Sequence, residues 1–146
     1  MKNLDKNNII GVAALLVHAA KIDEQYSNDE KVLIKRFIKS YLENSNEENI
    51  LKEAEEIENN SNQLLNFTNI IKKNDEETKS DIITHLWKII ISDNTIDQYE
   101  SNLMRRICGL IYFPDKMSAE IKLQILNNKW PILLKMNVLS ANLLIV

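Results

Sequence analysis

Two acid-rich stretches carry the residue types that could do chemistry. They are Asp23-Glu24-Gln25-Tyr26-Ser27-Asn28-Asp29-Glu30 and, seventy positions on, Asp93-Asn94-Thr95-Ile96-Asp97-Gln98-Tyr99-Glu100. Each runs Asp, two spacers, an apolar or aromatic residue, Ser or Asp, two spacers, Glu, and each leads into a basic pair, Lys35-Arg36 or Arg105-Arg106. Their donors are carboxylate oxygens, the ligands a hard divalent cation such as calcium or magnesium takes up. Asp23, Glu30, Asp93, Asp97 and Glu100 are therefore the candidate metal ligands.

The same residues have a structural use. Ser27 and Asp97 stand where a helix N-cap belongs, and Glu30 and Glu100 stand three residues on, where a carboxylate reaches back to the cap's own N–H. Tyr26 and Ile96 precede the caps, placed to staple the entering chain. Asp23 and Asp93 are left over, because an acid at the end of the preceding helix sits beside partial negative charge. A crossed pairing of Asp23 with Arg106 and Asp93 with Arg36 would compensate them, and so would an ion. The eight-residue turn is shorter than a twelve-residue EF-hand loop and lacks its central glycine, so it is not an EF-hand.

Other chemistry has little footing. His18 and His85 do not occupy matching positions, and neither belongs to the Glu-x-x-His spacing of a di-iron bundle or the His-Glu-x-x-His of a metalloprotease. There is no glycine-rich loop to cradle phosphate. A single Cys108 and no serine–histidine arrangement leave a nucleophilic mechanism without support, so no enzymatic activity and no catalytic residue are expected. Lone cysteine also places the chain in a reducing compartment, the cytoplasm. A net charge of −3 gives no basic footprint for nucleic acid.

The elements that must position these turns are helices. Only two glycines and two prolines interrupt 146 residues of which 45% are hydrophobic and 27% charged. Asp5 to Lys21 is apolar nearly all round, which suits the middle of a bundle. It is a core helix and not a signal peptide, since Asp5 stands among its leading charges and His18 within it. A second helix runs from Asn28 to about Glu43, a third, acidic on its surface, falls within Ser45 to Asn62, and a short one follows from Gln63 to about Lys73. Asp75-Glu76-Glu77 opens the next, through Ser92, and another runs from Gln98 to Tyr112, ended by Phe113-Pro114. A helix from Ser118, as its cap, to Asn127 is expected. Trp130 to Val146 is apolar at thirteen of seventeen positions but falls short of the ~20 residues of a membrane span.

The pattern Ala13-Ala14-Leu15-Leu16-Val17-His18-Ala19-Ala20-Lys21-Ile22-Asp23, then Glu30, then Leu86-Trp87-Lys88 with the Asp93 to Glu100 turn and Leu103-Met104-Arg105-Arg106-Ile107, resembles the TerB family of tellurite-resistance-associated proteins, most closely its small stand-alone members. The resemblance covers about Ile9 to Lys116. It implies an all-α bundle of about seven helices built from two pseudo-twofold-related helix–turn–helix repeats over residues 1–116, with residues 117–146 as a helical extension packed on the same domain. It also implies an acidic cluster for a divalent metal, whose members here are Asp23, Glu30, Asp93, Asp97 and Glu100, and a setting of stress or metal resistance. Glu24 and Asn94 replace the family's glycine and Ser27 replaces an acid, so an ion would lean on the second turn. The alternative is a module whose turns are purely structural and which meets a protein partner, a second copy of itself or a membrane surface through its apolar C-terminal segment.

Overall fold

The computed structural model describes residues 4–22, 25–92 and 98–129. Among the described residues there are seven helices and no strand: α1 (Lys6–Lys21), α2 (Asn28–Tyr41), α3 (Glu47–Asn60), α4 (Leu65–Lys72), α5 (Glu76–Ile91), α6 (Gln98–Ile111) and α7 (Asp115–Lys129). The all-α class expected from the sequence is what the chain adopts.

Helix α1 is the axle. It packs on α2, α3, α4 and α5, and every residue from Ile9 to Val17 is buried. That follows from its composition, since Ala13, Ala14, Ala19 and Ala20 let neighbours approach closely on several sides while Leu15, Leu16 and Val17 fill the space between. Each fully buried Leu or Ile contributes about 1.5–3 kcal/mol relative to exposure. Gly11 belongs to this scheme, because a Cβ there would lie 2.5 Å from Cδ1 of Ile70 on α4. Gly11 meets the last turn of α4, whereas His18, two turns further along α1, lines a cavity with Leu64 and Phe67 at its start. The two helices therefore run antiparallel.

Helix α5 is the second packing centre, touching α7, α1 and α2. Its starting residues follow from capping: Asp75 accepts from the Thr78 N–H at 2.8 Å, as Asp5 accepts from Asn8 at 2.8 Å at the head of α1. Helix α3 is capped by Asn46, whose Oδ1 accepts from Glu48 and Asn49. Its acidic residues divide: Glu48, Glu53 and Glu56 are exposed, while Glu55 and Glu58 turn partly inward.

Two helix ends need comment. Helix α6 stops in a Schellman motif, with the Phe113 N–H on the carbonyl of Cys108 at 2.9 Å and the Tyr112 N–H on that of Gly109 at 3.4 Å. Tyr112 takes the left-handed position with φ 58°, and its ring carries Lys72 Nζ at 4.7 Å from the centroid. Helix α7 starts three residues earlier than expected. The carbonyl of Pro114 accepts from the Ser118 N–H at 3.1 Å, so Ser118 lies inside the helix. It is not the cap, because its hydroxyl is buried and accepts the indole N–H of Trp87 at 2.9 Å.

No described helix is long and apolar enough to cross a membrane. The segment Trp130 to Val146 lies outside the described residues.

Candidate functional site

At the first turn the sequence-derived cap is present in full. Ser27 Oγ accepts from the Glu30 N–H at 3.2 Å, and Glu30 Oε1 accepts from the Ser27 N–H at 2.9 Å and from its hydroxyl at 3.1 Å. Glu30 is only 4% exposed. Such burial of a carboxylate is tolerated because its charge is hydrogen-bonded. Tyr26 precedes the cap and packs toward Lys31, whose Nζ lies 4.8 Å from the ring centroid. The staple thus has a cationic partner four residues into the helix.

The hydroxyl of Tyr26 is buried beside the carboxylate of Glu55. Burial, then the negative charge of Glu55, with smaller contributions from Glu30 and Glu58, pushes it well above the ordinary tyrosine value. Glu58 is itself neutralised: Lys21 Nζ lies 2.9 Å and His18 Nδ1 3.5 Å from its carboxylate. His18 is consequently not a core histidine, since 42% of its side chain is exposed.

At the second turn, Glu100 is 2% exposed, matching Glu30. Asp23, Asp93 and Asp97 lie outside the described residues, and with them the expected pairings to Arg36 and Arg106. Both arginines are exposed. Arg106 lines the same cavity as His18, so α6 carries it to the C-terminal half of α1. Among the described residues no three His, Cys, Asp or Glu side chains converge closely enough to hold an ion. The described members, Glu30 and Glu100, supply hard oxygen only, a donor type that suits calcium or magnesium and not a soft metal.

A second polar arrangement escaped the sequence reading. The Tyr41 hydroxyl donates to Asp81 Oδ2 at 2.7 Å, and the other carboxylate oxygen lies 3.6 Å from His85 Nε2. The two residues on α5 are four apart, a spacing that puts them on one face. Tyr41 is forty positions from Asp81, and nothing in the local sequence signals that pairing. Burial and then the hydrogen bond to Asp81 push the Tyr41 hydroxyl well above the ordinary tyrosine value of about 10. Unfolded tyrosines lose their proton near that value while folded Tyr41 keeps it, so stability is intact below pH 10 and falls as pH rises above it. Urea midpoints measured across this range should fall steeply in the native chain, and Tyr41→Phe should flatten the alkaline limb. An unchanged alkaline slope would show that the phenol is not held protonated by the fold.

Cys108 is buried, and burial, assisted by the charge of Asp115 and opposed by a hydrogen bond with Ser118, raises its thiol above the ordinary range. It is a packing residue rather than a poised nucleophile.

Comparison with known proteins gives one match. The family described as tellurite resistance protein TerB matches residues 10–123. No curated protein and no solved structure matches the chain.

Proposed function

Because the chain belongs to the TerB family of tellurite-resistance proteins, we propose that it is a non-enzymatic cytoplasmic module that takes up a hard divalent cation, calcium or magnesium, at its paired acidic turns. The observation that carries this reading is the burial of Glu30 and Glu100, at 4% and 2% exposure, at corresponding places of the two turns. With Ser27 in place of an acid the first turn carries fewer charges, so the ion leans on the second turn, with Asp93, Asp97 and Glu100 as principal ligands and Asp23 and Glu30 contributing from the first. The role is in stress or metal resistance, in keeping with the family.

Thermal unfolding with calcium, magnesium, manganese or zinc tests the reading. A cation at a hundredfold its Kd should add about 2.7 kcal/mol of stability, and Asp93→Ala combined with Asp97→Ala should abolish the gain. No shift with any of these ions would overturn it.

The capping box at Ser27 and Glu30 favours a second reading, in which the turns only start helices and the chain works as an interaction module. The partner would be a protein, a second copy or a membrane surface, met through the apolar Trp130 to Val146 segment. An ion-independent melting temperature supports this alternative.

A further inference from the structure

The cavity where Arg106 meets His18 is lined by no described residue of the acidic turns. It encloses about 250 Å³ between the C-terminal half of α1, the α3–α4 connection and α6. Its inner wall is apolar: Leu64, Phe67 and Leu103 line it and are 9%, 4% and 7% exposed. Its mouth is polar and carries Asn62, Gln63 and Arg106, all exposed. We propose that this cavity is a binding site for a small organic carboxylate with an aryl or branched-alkyl body.

Size, shape and charge each argue for that class. An apolar cavity of roughly 150 Å³ accommodates benzene, so this one has room for a ring and its carboxylate. The apolar wall needs a ligand with an apolar body, and the mouth needs an anionic head. Arg106 makes no ion pair with any described residue, and its guanidinium offers the planar fork that takes a carboxylate through two parallel hydrogen bonds. No described carboxylate lines the cavity. Glu58, beside His18, is held by Lys21 and by His18 Nδ1. The side-chain amides of Asn62 and Gln63 add neutral donors beside the head group. An inorganic anion would meet the same donors but leave the apolar wall wet. A neutral isostere would fill the wall and leave the guanidinium without its counter-charge.

Calorimetric and NMR titration of the full chain with phenylacetate, phenylacetamide and inorganic phosphate separates these cases. Phenylacetate should bind, with shifts centred on Phe67 and Leu103, and both phenylacetamide and phosphate should bind at least about tenfold more weakly, the loss expected for one charged hydrogen-bonding pair or for the apolar burial. Arg106→Gln should cost phenylacetate the same factor. Arg105→Gln, an exposed neighbour outside this cavity, should leave binding unchanged. Equal binding of acid and amide, equal binding of phosphate, an equal effect of the two arginine substitutions, or no binding of phenylacetate up to about 10 mM, where a millimolar Kd saturates, would each overturn the assignment. Phenylacetate binding and the cation-dependent melting shift are separate readouts, so a failure of one is distinguishable from a failure of the other.

Discussion

Phe37→Ala is expected to lower the unfolding free energy by about 3–5 kcal/mol, the range for emptying a buried aromatic site. The ring is fully buried, 4.9 Å from the ring of Tyr41 and 5.1 Å, edge to face, from that of His85. It therefore fills the seam between α2 and α5 and backs the two side chains that converge on Asp81. Removing it leaves a void in that seam and frees both rings to turn, so the Tyr41–Asp81 hydrogen bond weakens together with the packing. Native domains hold only about 5–15 kcal/mol in reserve, so the variant sits near the edge of folding. Urea titration checks this: the midpoint should fall with the slope unchanged. A loss below about 1 kcal/mol, the scale of a typical substitution, would show that the seam collapses around the missing ring and that Phe37 does not organise it.

Trp87→Ala should cost a similar amount, about 3–5 kcal/mol, with a different signature. Trp87 is 5% exposed, and its indole N–H is spent on Ser118 of α7 while Lys122 Nζ lies 5.2 Å from the ring. Truncation removes apolar area and also the indole donor to the buried Ser118 hydroxyl, a hydrogen bond worth about 0.5–1.5 kcal/mol. The damage falls on the α5–α7 contact. Backbone amides of α7 should then exchange faster than those of α1, α2 and α3. Uniform acceleration over all helices would contradict a local role for this contact. Trp87→Phe keeps most of the volume and isolates the polar share of the loss.

Both residues sit in helices whose existence was plain in the sequence, and the contrast between what was legible and what was not has a physical basis. Helix α1 could be placed at the centre because apolar residues all round a helix leave no face for water. The cap Ser27 could be read because a cap is a local interaction, closed within three residues; Asp5 and Asp75, read only as acids at the heads of their helices, cap them in the same way. Ser118 shows the limit of the same rule. By type it reads as a cap, yet its hydroxyl serves Trp87, thirty-one positions away, and Pro114 supplies the helix start instead. The Lys21–Glu58 pair and the Tyr41–Asp81 bond span 37 and 40 positions. No local pattern encodes them, because they are created by which helices the core brings side by side. Of the candidate metal set, Glu30 and Glu100 are buried, while Asp23, Asp93 and Asp97 lie outside the described residues.

Gly11 works as a shim. Helix α4 has only eight residues and lies antiparallel along α1, with Ile70 near one end pressed onto the bare backbone of Gly11 and Phe67 near the other facing the His18–Arg106 cavity. The absence of one carbon atom on α1 thus leaves a seat for the tip of Ile70, while the other end of the same short helix supplies Phe67 and the preceding Leu64 to the cavity wall.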